Sequence, residues 1–335
     1  MATVGDSYFE QQLSMRRERL AAATPQNGAG AEITRLMAEV DAALERLRQG
    51  TYGVCEVCKG GIELERLITD PLARTCSEEA GARLADLGPE ALHQLEADLE
   101  MAGRIQRALL PPQNLSAHGW DVHYHYEPLG QVSGDFCDLI VAPPPAGELF
   151  FLLGDVSGKG VAASLLMSHL HAMFRSLTTV KQPLDQLMVL ANRLFCQSTI
   201  SGQFATLVAG RADSHGRLEL VGAGHPPVLV LGHGAVRRID SSGFPLGMFH
   251  ETQFPAQALA LQPGESLLFY SDGVTEARNP AGEEYGVERL AQHSSRNCGG
   301  SPSQLVGSCL QELRTFSGSQ PRSDDLTLMA LRRAA

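Results

Sequence analysis

Apolar residues first recur along the chain at helical spacing. Ile33, Leu36, Val40, Leu44 and Leu47 fall three and four apart, which places them on one face of an amphipathic helix closing near Gly50. Phe9, Leu13 and Leu20 mark a partner helix, and TPQNGAGA between the two, with Pro25, Gly28 and Gly30, reads as a turn. Residues 7–49 are therefore expected to form a short helical hairpin. Gly88-Pro89 then opens a helix that runs to Leu110 and stops at Pro111-Pro112. Its positions Leu92, Leu95, Leu99, Ala102, Ile105 and Leu109 make a narrow apolar stripe, the pattern of a helix that pairs with a copy of itself. After residue 115 the period shortens to short β-rich runs bounded by Gly and Pro. Val122–Tyr126, Leu149–Val156, Phe204–Gly210, Leu218–Val221, Val228–Leu231, Ser266–Ser271 and Leu326–Leu331 read as strands. Ala162–Leu177, Leu184–Cys196 and Pro302–Phe316 read as helices. Strands before and after a helical pair predict an α+β domain whose antiparallel sheet is covered by helices.

Composition narrows the function classes. A chain of 335 residues, 43% hydrophobic and 19% charged, is ordinary globular material, and at about 100–200 residues per domain it predicts two domains. The longest apolar runs, such as Leu149–Leu153, fall far short of the ~20 residues a membrane-spanning helix needs. The opening MATVGDSYFEQQ has neither a secretory nor a transit signature, so a cytoplasmic protein without a membrane role is expected. The net charge of −11, from 27 basic and 38 acidic residues, argues against direct nucleic-acid binding, which draws its affinity from clustered Lys and Arg. Arg16, Arg17 and Arg19 form the tight basic cluster and read as a solvated helix face. Cys137, Cys196, Cys298 and Cys309 have no regular spacing, as expected of reduced thiols.

The chemistry lies in aspartates where strands meet Gly-containing turns. Asp135 and Asp138 stand in SGDFCD, Asp155 closes FFLLGD, Asp272 follows LLFYS, and Asp324-Asp325 precede LTLMALR. Asp at a strand end often only bonds local backbone. A set of carboxylates gathered at one end of a sheet would instead repel unless cations neutralised them, and hard all-oxygen sites suit Mg²⁺ or Mn²⁺. A two-metal hydrolytic centre follows. Lys159 in GDVSGKG is followed by Gly160, so the P-loop spacing is absent.

The ordered set IQRALLPP (105–112), SGDFCD (133–138), GDVSGKGVAASLLM (154–167), FATLV (204–208), GAGHPP (222–227), GFPLG (243–247), LLFYSDGVTEARNPAGEEYG (267–286) and SDDLTLMALR (323–332) resembles the SpoIIE/RsbU-type serine phosphatases. These are the bacterial branch of the metal-dependent protein phosphatases. The resemblance implies an αββα sandwich, two Mn²⁺ or Mg²⁺ ions and hydrolysis of phosphoserine or phosphothreonine on a protein. It assigns Asp155 to bridge both metals, the Val156 carbonyl to one of them, Asp272 and Asp324 to complete one shell, and Asp135 to hold the other metal directly or through water. It implies a phosphorylated anti-sigma factor antagonist of the STAS type as substrate, whose dephosphorylation would release a sigma factor through partner switching. With water as the nucleophile, Ser157 and Ser271 need not be catalytic. The family usually has two glycines before the first Asp and an aromatic two residues after it; here stand Ser133 and Cys137, and Cys137 beside the centre suggests sensitivity to oxidation. His225 in GAGHPP reads as a general acid or as a structural turn residue, and His123 and His125 as surface residues of a strand.

Cys55-x₂-Cys58, seventeen residues and then Cys76 make three quarters of a zinc-ribbon spacing whose fourth position is Glu79. From Glu45 to Cys76 the chain resembles the DksA/TraR-type zinc finger. A single Zn²⁺ on Cys55, Cys58, Cys76 and Glu79 and a metal-free degenerate ribbon are both consistent with these residues. Fingers of that type often work on RNA polymerase through an acidic tip, and the turn ATPQNGAG carries no aspartate, which favours a regulatory or dimerising module. The expected organisation is a hairpin and finger-like domain (1–87), a helical linker that forms a homodimer (88–112) and a phosphatase domain (113–335). The competing reading is a non-enzymatic phosphatase-like scaffold whose finger binds RNA polymerase; a third keeps the metals and acts on a small phosphoester.

Overall fold

The computed structural model describes residues 9, 12–14, 16–17, 30–57, 59–62, 66–67, 70–76, 89–142, 147–199, 202–232 and 235–334. The chain divides into two compact units, residues 1–96 and 97–335.

In the first unit the described positions between 9 and 17 are helical, and helix α1 spans Gly30–Arg48. The helical spacing places Leu13, Val40, Ala43 and Leu44 in one buried cluster, and Arg17 Nε donates to Asp41 Oδ1 at 2.6 Å on its exposed side. Gly30 already belongs to α1, while the rest of the expected turn, 24–29, lies outside the described residues. Past α1 the chain doubles back in a tight turn. Val54 bridges Gly61, and the Cys55 N–H donates to the Gly60 carbonyl at 2.8 Å. Cys55 and Cys76 are buried together with Phe9, Ile62, Leu67 and Ala73. Cys58 and Glu79 lie outside the described residues.

Helix α2 spans Pro89–Leu109, starting at the proline and ending before Pro111-Pro112. In the second unit β1 (Asn114–Ala117), β2 (Trp120–Glu127), β7 (Val228–Gly232), β8 (Ala235–Ile239), β10 (Ser266–Tyr270) and β11 (Leu326–Arg333) form a six-stranded sheet in the order β1-β2-β11-β10-β7-β8. The second sheet runs β3-β4-β5-β6-β9, with β3 Phe136–Val141, β4 Leu149–Val156, β5 Ala205–Ala212, β6 Arg217–Ala223 and β9 Gln257–Ala260. Every pairing between these strands is antiparallel. Helices α3 (Gly160–Leu177) and α4 (Leu184–Ser198) cover the five-stranded sheet. The one-turn α5 (Asp272–Thr275), with α6 (Gly286–Asn297) and α7 (Pro302–Ser317), lies on the six-stranded one.

The strand period explains the layering. In β4, Phe150, Leu152 and Val156 pack beneath α3 and α4. The alternate Leu149, Phe151 and Leu153 face the other sheet with Phe269, Met329 and Leu331. A strand buried on both faces reads as one apolar run, as LFFLL does. Phe151 and Phe269 meet across the sheets at a centroid distance of 5.4 Å. Leu229, Leu268 and Leu328 turn outward onto Leu290, Leu305 and Leu310 of α6 and α7. The architecture is therefore the expected α+β sandwich, in four layers. Among the described residues no helix is long and apolar enough to cross a membrane.

Candidate metal centre

The sheet topology brings the aspartates together. β10 and β11 are antiparallel neighbours, so Asp272, just after β10, and Asp324-Asp325, just before β11, fall at the same end of that sheet. Asp272 opens helix α5 rather than ending a strand. Across the inter-sheet core, Asp155 is the penultimate residue of β4 and Asp135 leads into its neighbour β3. The fully buried Asp135 accepts at Oδ2 from Thr327 Oγ1 at 2.5 Å, and its N–H donates to Ser133 Oγ at 3.0 Å. Asp325 points into the same loop, accepting from Leu129 N at 2.6 Å and Gly134 N at 2.9 Å. A Cβ on Gly134 would stand 2.9 Å from the Val156 carbonyl oxygen and 3.1 Å from Asp155 Oδ1. Glycine thus leaves open a cradle in which those two oxygens sit side by side.

Electrostatics show what the cluster lacks. Burial, followed by repulsion from Asp135, Asp272, Asp324 and Asp325, pushes Asp155 up to about 9. Burial likewise pushes Asp135 up to about 8 against the hydrogen bonds from Thr327 and Ser271. Asp272 is raised by burial and by Asp324. Lys159 Nζ lies 2.9 Å from Asp324 Oδ2 and donates to the Ser323 carbonyl at 2.6 Å; although burial opposes its charge, Asp324 raises its pKa. Among the described residues no three His, Cys, Asp or Glu side chains already stand at metal-ligand spacing, and Thr327 and Lys159 occupy oxygens of Asp135 and Asp324. The donor set is nevertheless all oxygen, buried at Asp135 and partly buried at Asp155, Asp272 and Asp324, and short of positive charge. That chemistry fits Mg²⁺ or Mn²⁺ and not a soft metal.

Other candidates fall away. Cys137 is fully buried and its thiol is pushed well up by burial and then by Asp138 and Asp135; the expected sensitivity to oxidation is not supported, because attack requires an accessible thiolate. His225 is buried, its Nδ1 lies 3.0 Å from Thr206 Oγ1, and burial depresses it to about 3. An imidazole held neutral in this way is a poor general acid. Ser157 Oγ accepts from the Phe204 N–H at 3.0 Å, and Ser271 Oγ from the Thr327 N–H at 3.0 Å, so both serve the backbone. On β2, His123 pairs with Asn114 of β1 and His125 with Glu127 of its own strand. The motif reading passed over Gln106, buried at 4% exposure near the C-terminal end of α2, on the side shared by Ala102, Gly103 and Leu109. A lone amide among apolar positions was the available signal.

Three relatives locate this architecture among known proteins. The chain is 29% identical over 265 residues to the protein IcfG of Synechocystis, covering 70% of this chain and 41% of that one. It is 24% identical over 246 residues to the phosphoserine phosphatase RsbU of Bacillus subtilis, covering 72% and 71% of the two. The SiaA-PP2C domain of Pseudomonas aeruginosa has the same fold, with a TM-score of 0.63 at 19% identity over 72% of this chain and 98% of that one. Residues 145–334, which hold β4 with Asp155, Asp272 and the Asp324-Asp325 pair, match the model described as stage II sporulation protein E, and the chain belongs to this SpoIIE family of PP2C-type phosphatases.

Proposed function

We propose that the chain is a Mn²⁺- or Mg²⁺-dependent protein serine/threonine phosphatase acting on a phosphorylated STAS-type anti-sigma factor antagonist. The observation that carries the reading is the carboxylate cluster, in which burial and mutual repulsion hold Asp135 and Asp155 far above the ordinary carboxylate range. In this reading Asp155 would serve both ions, Asp272 and Asp324 one of them and Asp135 the other, with the Val156 carbonyl oxygen beside Asp155 at the cradle left by Gly134. Bound there, the ions supply activation of water and charge stabilisation for in-line displacement at phosphorus. The chain's own part is to fix the oxygens: Thr327 orients Asp135, Asp325 holds the loop before it, and Lys159 holds Asp324. A groove of about 280 Å³ is lined by Gly273 and Ser323, the chain neighbours of Asp272 and Asp324, and by Glu127, Leu313, Leu326, Arg278 and Arg314. It gives a protein substrate more to hold than the phosphate alone, which favours a protein over a small phosphoester. Cys55, Cys58, Cys76 and Glu79 are the proposed ligands of one Zn²⁺ in an N-terminal regulatory module.

The test is turnover with a defined metal. Purified full-length protein should hydrolyse an aryl phosphate with Mn²⁺ and stop with a chelator. A phosphoserine STAS protein should be dephosphorylated far more efficiently than a short phosphopeptide, because remote binding energy positions the phosphate. Equal efficiency on protein and peptide would overturn the substrate assignment, and metal-independent turnover the catalytic one.

A further inference from the structure

Gln106 lies three residues from the end of α2, with Arg104, Ile105, Arg107 and Ala108 around it exposed. Its side chain turns the other way. Nε2 donates to the Ser133 carbonyl at 2.7 Å, and Oε1 accepts from the Ser133 N–H at 2.9 Å. One amide thereby satisfies both backbone groups of a residue with no exposed surface, groups that burial does not allow to go unpaired. Ser133 passes the constraint on, since its Oγ accepts from the Asp135 N–H at 3.0 Å. A turn earlier on the same helix, Gly103 lies so close to the Gln131 carbonyl that a Cβ there would collide with it. Helix α2 is therefore seated on residues 131–133 by one close backbone approach and one double hydrogen bond. Turning the helix by a single residue moves a side chain through about 100°, which would carry the amide away and leave two buried backbone groups unmet.

We infer that Gln106 is a positioning residue, which couples the orientation of helix α2 to the placement of the Asp135 carboxylate. The inference rests on the proposed role of Asp135 as a metal ligand and adds to it a means of regulation: what turns or shifts α2 changes the metal site through this amide. Residues that orient a ligand from behind commonly alter metal affinity or activity by about 10- to 100-fold when replaced. Gln106→Met keeps the length and removes both hydrogen bonds, Gln106→Glu keeps the acceptor alone, and Gln106→Asn keeps both functions one methylene short.

The experiment measures Mn²⁺ binding by calorimetry and kcat and KM on an aryl phosphate for the full chain and each variant. Gln106→Met is expected to bind Mn²⁺ about tenfold or more weakly, with kcat falling and KM for the ester nearly unchanged. Gln106→Glu and Gln106→Asn should fall between it and the wild type. Should Gln106→Met not fold, the same ordering read on the other two variants decides. A purely structural role would lower the melting temperature and leave Mn²⁺ affinity and kcat per folded molecule untouched, and that result would overturn the inference. A wild-type protein that neither binds Mn²⁺ nor turns over would instead overturn the catalytic reading, and this inference with it.

Discussion

A carboxylate buried among other carboxylates keeps its proton until a cation arrives. Asp155 at about 9 and Asp135 at about 8 are raised above their unfolded values, first by burial. The stabilising contribution of such groups is complete below the unfolded pKa and is lost as pH rises through the folded one. The chelated protein should therefore melt at lower temperature at pH 9 than at pH 6, and Mg²⁺ should raise the melting temperature more at pH 9, where fewer protons must be displaced. Asp155→Asn should flatten this pH dependence and remove nearly all turnover. Full activity in a folded Asp155→Asn protein, or a chelated wild type with the same melting temperature at both pH values, would contradict the account. Asp135, Asp155 and Asp272 were legible in the sequence because each stands beside a glycine where a strand meets a turn, and Asp324 because it immediately precedes the last strand. The roles of Asp325, named only as one of the set, and of Thr327 were not, since their work is to hold a loop 191 and 192 residues away. No spacing rule reaches across such a distance.

Between elements, the second aspartate of SGDFCD does different work from the first. Asp138 on β3 is fully buried and takes both Nε and Nη2 of Arg175 at 2.6 Å, with His171 Nε2 at 3.2 Å, both from α3. Burial alone would raise its pKa, but hydrogen bonds from His171 and Arg175 outweigh it and hold the carboxyl below the usual range. α3 begins directly after Asp155-Val156-Ser157-Gly158-Lys159, so this pair locks the helix to the strand that Asp135 leads into. Removing one partner of a buried pair costs about 3–5 kcal/mol, and because Arg175 is half exposed the expectation for Asp138→Asn is about 2–3 kcal/mol. A depressed carboxylate contributes stability above its unfolded pKa and loses it as pH falls through the folded one. The gap between wild type and variant in denaturant unfolding should thus shrink on acidification below about pH 4; a gap that is constant with pH, or absent at pH 7, would rule the lock out. Elements with strong periodicity were the legible ones. β4 was read to the residue and α7 to within one. β8 (AVRRI) and β9 (QALA) are short edge strands without a continuous apolar run, and α6 buries only Leu290, Ala291 and Ser294 on a largely polar turn sequence. Such elements exist because the neighbouring sheet and helix give them a face to cover, and that information lies elsewhere in the chain.

At the scale of the whole molecule the open question is what covers the outer side of α2. Its stripe was expected to pair with a second copy; Leu95 and Ile105 of that stripe, with the neighbouring Met101, are 37%, 59% and 50% exposed, while Gly103 and Gln106 on another face dock onto residues 131–133. Full burial of such a side chain stabilises by about 1.5–3 kcal/mol, so covering the exposed half contributes about 1 kcal/mol each. Gains of this size per side chain favour a reversible dimer over an obligate one. Full-length protein should shift from monomer to dimer as its concentration rises through the micromolar range in sedimentation velocity, and Ile105→Glu with Leu95→Glu should leave it monomeric at every concentration. Gln106 faces away from this surface, so dimerisation would act on the centre only by turning or shifting the helix that carries the amide. The double variant should accordingly change kcat while leaving the Gln106 to Ser133 hydrogen bonds available. A wild-type protein that stays monomeric at 100-fold above the micromolar range, or a double variant with unaltered kcat, would separate the helix surface from control of the phosphatase.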